Sequence, residues 1–124
     1  EKNNGNTILN LIKKNLLESA HDISNGGLIT ALSEMSINSG IGVKIEKPKK
    51  LINLVAFLFG EDQGRYIIEV NKRNFTKVEK ILKSNNVHFE NIGLTQKKYF
   101  EIQGEMKVDI NDLCKINNQW YNKY

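Results

Sequence analysis

Cysteine, proline and long apolar runs are nearly missing from this sequence, and each scarcity closes off a class of protein. The single cysteine, Cys114, excludes an internal disulfide framework and fits a reducing cytoplasm, where residence is expected. With His21 and His88 it forms no pair at the short spacing of metal ligands, so no metal centre is expected. Proline punctuates the chain once, at Pro48. The longest apolar run, Leu51 to Phe59, is interrupted by Asn53 and reaches about half of the ~20 residues a bilayer span needs. A soluble protein with no membrane partner is therefore expected. The opening "EKNNGNTILN" has no basic segment leading into an apolar core, which argues against a secretory signal. Without an initiating methionine, it reads as a piece of something longer.

What is present is globular in composition: 124 residues, 40% hydrophobic and 26% charged, enough for one ordinary core and one domain over residues 1–124. The net charge of +4 raises the question of a polyanionic partner. The densest basic patch, "KPKK" from Lys47 to Lys50, flanks a proline between apolar segments and has no arginine or aromatic interleaved. That is the pattern of a solvated turn, and no nucleic acid partner is expected.

Apolar residues Ile8, Leu11, Ile12 and Leu16 recur at three and four residue steps and predict an amphipathic helix from Asn6 to Ser19. Leu28, Ala31, Leu32 and Met35 predict a second, closed by Gly40. At Ile41, Val43 and Ile45 the period falls to two, a half-buried strand. "LINLVAFLFG" could be a buried helix or a strand, whereas "RYIIEV" (Arg65 to Val70) is rich in strand formers. Phe75, Val78, Ile81 and Leu82 mark a third helix ended by Asn85 and Asn86. Strands are expected at Val87 to Leu94 and Tyr99 to Gln103, with a turn near Gly104. Asp109 should cap a last helix carrying Ile110, Leu113, Cys114, Trp120 and Tyr121. The order predicts an α+β fold, a mixed β-sheet packed with helices.

Two polar islands interrupt these patterns. In "HDISNGGL" (His21 to Leu28), Ser24 or Asn25 can cap the second helix, while Gly26 and Gly27 leave its first backbone N–H groups uncovered by side chains. Such groups attract phosphate, yet paired glycines also permit tight packing of a turn, and both readings stand. Asp22 could hold magnesium or a ribose hydroxyl and His21 could donate to a phosphate, or both could be structural. In "FGEDQGR" (Phe59 to Arg65), Glu61, Asp62 and Gln63 could accept from ribose or amide groups with Arg65 near a phosphate. The plain alternative is a charged turn in which Glu61 or Asp62 pairs with Arg65.

Taken together, "SAHDISNGGLITALSEMS" and "LFGEDQGRYIIEV" resemble the C-terminal domain of the phosphoribosylformylglycinamidine synthase (FGAM synthase) large subunit, an AIR synthetase-type domain. Ser19 to Val70 carries the specific part of that resemblance, and the last helix is compatible with it. The resemblance implies a purine biosynthesis enzyme, an ATP-dependent C–N ligase. Such an enzyme converts formylglycinamide ribonucleotide to formylglycinamidine ribonucleotide with ammonia from a glutaminase subunit or domain. ATP and Mg2+ would be bound mainly by domains absent from this chain, its partners would include those domains, and the chain alone would be inactive. His21, Asp22, Ser24, Gly26, Gly27, Glu61, Asp62, Gln63 and Arg65 are implied as substrate or nucleotide contacts, with no catalytic residue and no metal ligand among them. Asn25 stands where the family more often has aspartate, which removes a charge beside the glycines. Other synthetases of the same superfamily match less closely, and a stand-alone basic binding module or a purely structural turn are the remaining rivals.

Overall fold

The computed structural model describes residues 2–50 and 53–123. The chain runs α1 (Lys2–Lys13), β1 (Ser19–Asp22), α2 (Gly27–Ser39), β2 (Gly42–Ile45), α3 (Leu54–Phe59), β3 (Tyr66–Glu69), α4 (Lys72–Ser84), β4 (Gly93–Gln96), β5 (Tyr99–Ile102), β6 (Met106–Asp109) and α5 (Ile110–Tyr121). It divides into two compact units, residues 1–31 with 59–90 and residues 32–58 with 91–124. None of the helices among the described residues is long and apolar enough to cross a membrane.

The first unit holds a two-stranded antiparallel ladder, β1 against β3. Its core is the meeting of α1 and α4: Ile8, Leu11 and Leu16 pack with Val78 and Leu82, and Ile68, Val70, Val87 and Phe89 close around them. Both helices stop in the same way. Asn15 and Asn86 adopt left-handed φ of 53°, a conformation asparagine tolerates better than other side-chain-bearing residues. After Asn15 the chain makes the paired bonds Asn15 N–H to Ile12 O and Leu16 N–H to Leu11 O; after Asn86 it repeats them, Asn86 to Lys83 and Val87 to Leu82. Each closure brings the next apolar residue back onto the helix, Leu16 onto Leu11 and Val87 onto Leu82, inside the shared core.

The second unit is a four-stranded mixed sheet in the order β4-β2-β5-β6, with β2 and β5 parallel and the outer pairs antiparallel. Its alternation is clean: Ile45, Phe100 and Ile102 are buried, while Leu94, Lys44, Glu101 and Lys107 form one cross-strand row on the opposite face. Asp109 ends β6 and caps α5, accepting from Asn111 N–H at 2.8 Å.

The α+β expectation holds, with local differences. The first helix ends at Lys13 rather than Ser19, because Asn15 turns the chain and Ser19 to Asp22 is a strand. Val87 to Ile92 pairs in no regular strand: Val87 and Phe89 alternate because they dock on the α1–α4 core, and the fourth strand starts only at Gly93. The ambiguous apolar run is helical from Leu54, with Asn53 Oδ1 accepting from Ala56 N–H at its start. Leu51 and Ile52 lie outside the described residues.

Candidate functional site

The β1–β3 register places the two polar islands together. Asp22 pairs with Tyr66 at one end of the ladder, and Ile23 N–H extends it by donating to Arg65 O at 2.9 Å. "HDISNGGL" therefore leaves the ladder at the same end at which "FGEDQGR" enters it. At the opposite end Ser19 Oγ donates to Glu69 Oε2.

The islands are joined by one short bond: Gly26 N–H donates to Glu61 Oε1 at 2.7 Å, across 35 residues of sequence. Gly26 and Gly27 both hold positive φ, 81° and 72°, and Gly27 N–H turns back to Ser24 O at 3.1 Å. Of the N–H groups at the helix start expected to lie uncovered by side chains, that of Gly26 is covered by Glu61, whereas that of Gly27 meets only a backbone carbonyl. A carboxylate oxygen of this chain sits where the N-terminus of α2 favours negative charge, and Ser24 contributes its carbonyl to the turn. Thr30, one turn along the helix, bonds back through Oγ1 to Gly26 O at 3.1 Å.

The second loop is folded on itself. Arg65 Nη1 donates to Asp62 Oδ2 at 3.1 Å and to Gly60 O at 3.3 Å, so Asp62, not Glu61, pairs with the arginine. Gln63 is exposed. Asn4 on α1 braces the loop, its Nδ2 donating to Gly64 O at 2.9 Å. His21 Nδ1 lies 2.6 Å from Asp22 O; a carbonyl oxygen only accepts, so that nitrogen carries the proton. The Asp22 carboxylate is exposed and 3.8 Å from the same nitrogen.

Of the nine residues singled out by sequence, Gly26, Gly27, Ser24 and Glu61 form one hydrogen-bonded group, and Asp62 with Arg65 forms a neighbouring one in the same loop. His21 and Asp22 flank them at the ladder's end. Thr30 and Asn4 escaped sequence reasoning. The i to i+4 spacing of Gly26 and Thr30 held a signal for the first, whereas nothing in the sequence ties Asn4 to Gly64.

The donor set suits an anionic oxygen at Gly26 N–H, the position Glu61 fills with its own. A phosphate at this donor would have to displace that carboxylate. Among the described residues no three His, Cys, Asp or Glu side chains gather as a metal site, and Asp62 is already committed to Arg65. The basic turn is partly neutralised in the second unit, where Lys47 Nζ meets Glu105 Oε1 at 2.6 Å.

Residues 1–104 match the family model described as "AIR synthase related protein, C-terminal domain". Along its whole length the chain is similar to phosphoribosylformylglycinamidine synthase subunit PurL of Pelagibacter ubique, at 49% identity over 124 residues, and of Nitrobacter winogradskyi, at 38%. In each case it spans 17% of the relative's length. The fold is similar to that of Thermotoga maritima PurL solved with FGAR (TM-score 0.76) and with ATP (TM-score 0.77). Both likenesses are at 17% sequence identity and cover 91% of this chain, with 20% and 21% of those chains covered. The chain belongs to the AIR synthase related C-terminal domain family.

Proposed function

We propose that residues 1–124 act as a single AIR synthase-type domain of a longer FGAM synthase. That enzyme would be an ATP-dependent C–N ligase of purine biosynthesis, converting formylglycinamide ribonucleotide to formylglycinamidine ribonucleotide. The observation that carries this reading is the 49% identity to a PurL subunit, sustained over every residue of the chain. The convergence of both polar islands at one end of the β1–β3 ladder supports it. In this reading His21, Asp22, Ser24, Gly26, Gly27, Glu61, Asp62, Gln63 and Arg65 wall a cleft that faces a phosphate-bearing ligand. Glu61 holds the start of α2 in place, and Asp62 and Gly60 aim Arg65. ATP supplies the activation of the substrate's formamide oxygen; Mg2+ and the reacting groups belong to other parts of the enzyme. A glutaminase subunit or domain delivers ammonia, and the assembly works in the cytoplasm.

The test is turnover by the complete natural polypeptide that carries this chain, given formylglycinamide ribonucleotide, ATP, Mg2+ and ammonium. ADP release coupled to formylglycinamidine ribonucleotide is the expected result, with none from residues 1–124 alone. A complete polypeptide that ignores this substrate but consumes ATP with that of another superfamily member would overturn the reading. So would turnover by residues 1–124 alone.

A further inference from the structure

Helix α5 begins as a well-anchored element and ends as an exposed one. Ile110 is buried and Leu113 and Cys114 are half-buried, but every residue from Lys115 to Lys123 is exposed. The apolar stripe does not stop with the cover. Ile116, Trp120 and Tyr121 continue it on the same side of the helix, 65%, 61% and 72% exposed, while Asp112, Lys115 and Gln119 lie on the polar side. Helices of this length are marginal in water without packing of the apolar face, and the outer turns are built of Ile, Asn, Gln, Trp and Tyr, none a match for alanine in propensity. The helix also lies beyond residues 1–104, which match the common domain family, whereas the PurL relatives match across it. Its outward face is apolar.

We infer that the Ile116–Trp120–Tyr121 face of α5 docks onto an apolar surface elsewhere on the same, longer polypeptide. Two quantities select this occupant. The matched region is only 17% of the curated relative's length, so most of such a polypeptide is on hand as a tethered partner. The three side chains offer roughly 300–450 Å² at about 150–250 Å² for each fully buried aromatic, well below the roughly 800 Å² per partner of a stable interface between separate proteins. A patch of that size is too small to hold a second copy at ordinary concentrations. It suffices for a tethered segment, whose effective concentration reaches the millimolar range.

The inference rests on the proposal that this chain is part of a longer polypeptide and is independent of the reaction proposed for it. The experiment is hydrogen–deuterium exchange on that complete polypeptide, as wild type and as Ile116→Asp/Trp120→Asp, with Lys115→Ala on the polar side as control. Amides of residues 116–121 should exchange at least ~100-fold slower than unprotected chain in the wild type, independently of protein concentration. The double variant should lose about tenfold or more of that protection, together with one segment outside residues 1–124, and Lys115→Ala should lose none. Because the readout is exchange, an inactive enzyme with a protected helix contradicts the proposed reaction alone. Unprotected wild-type amides overturn the docking. Protection that rises with concentration assigns the face to a second copy, and protection that needs another added subunit assigns it to a separate partner; either result overturns the inference. Should the double variant fail to fold, the wild-type exchange and its concentration series decide alone.

Discussion

Replacing Gly26 by alanine separates two costs that usually arrive together. A β-carbon built on Gly26 would sit 2.2 Å from Thr30 Oγ1 and 2.9 Å from Thr30 Cβ, at a φ of +81°. The left-handed backbone alone costs about 1–2 kcal/mol with a β-carbon present, and overpacking adds about 1–3 kcal/mol. Loss of glycine's freedom in the unfolded chain returns about 0.4–1 kcal/mol. Gly26→Ala should therefore destabilise by roughly 1–5 kcal/mol. Gly40 provides the internal reference, because its φ is +70° and nothing lies within 4 Å of its β-carbon position. Gly40→Ala should show the backbone cost without the collision, and the difference between the two measures Thr30. In Gly26→Ala/Thr30→Ala the Oγ1 collision disappears while the 2.9 Å approach of Cβ remains, so the rescue should be partial, with a coupling of about 1 kcal/mol or more. Urea unfolding followed by circular dichroism of Gly26→Ala, Gly40→Ala, Thr30→Ala and the double variant supplies all four values. If Gly26→Ala costs no more than Gly40→Ala, or the cycle shows no coupling, the geometry drawn for the start of α2 is wrong.

Two further predictions concern stability. Ser36 is 1% exposed and its hydroxyl has no hydrogen-bond partner among the described residues; Ser36→Ala should stabilise by roughly 0.5–2 kcal/mol by removing a buried unsatisfied group and raising helix propensity, and a loss of 1 kcal/mol in thermal unfolding would reveal a partner. Asn15 holds the left-handed closure of α1, so Asn15→Gly should be neutral or stabilising by up to about 1 kcal/mol and Asn15→Val destabilising by at least as much, with the reverse order in urea midpoints refuting the closure.

Much of the fold was legible because periodicity reports packing directly. The strand at Ile41 to Ile45, the helices carrying Leu28 and Val78, and the Asp109 cap all follow from side-chain spacing and local hydrogen bonding. What stayed hidden depended on distant partners. "SAHD" is too short and polar to announce a strand, and becomes one only because "YIIE" lies beside it. Val87 and Phe89 alternate as a strand would, yet the surface they fit is the α1–α4 core, and a period of two cannot tell a ladder from an extended segment docked on helices.

The candidate site divides along the same line. Glycines ahead of a helix and a carboxylate-rich loop before a strand were visible as two islands, one of donors suited to an anion and one of anions. Which anion was not visible, because the bond from Gly26 N–H to Glu61 spans 35 residues. That bond changes the meaning of the glycines. An uncovered helix N-terminus would bind phosphate with no competitor, whereas one already holding a carboxylate binds phosphate only by exchanging one charged hydrogen bond for another. Glu61 therefore ties the loop to the start of α2 without ligand, and in the proposed site a phosphate would need contacts beyond Gly26 to displace it. Arg65, held in the same loop by Asp62 and Gly60, is a cation of that loop that could supply one.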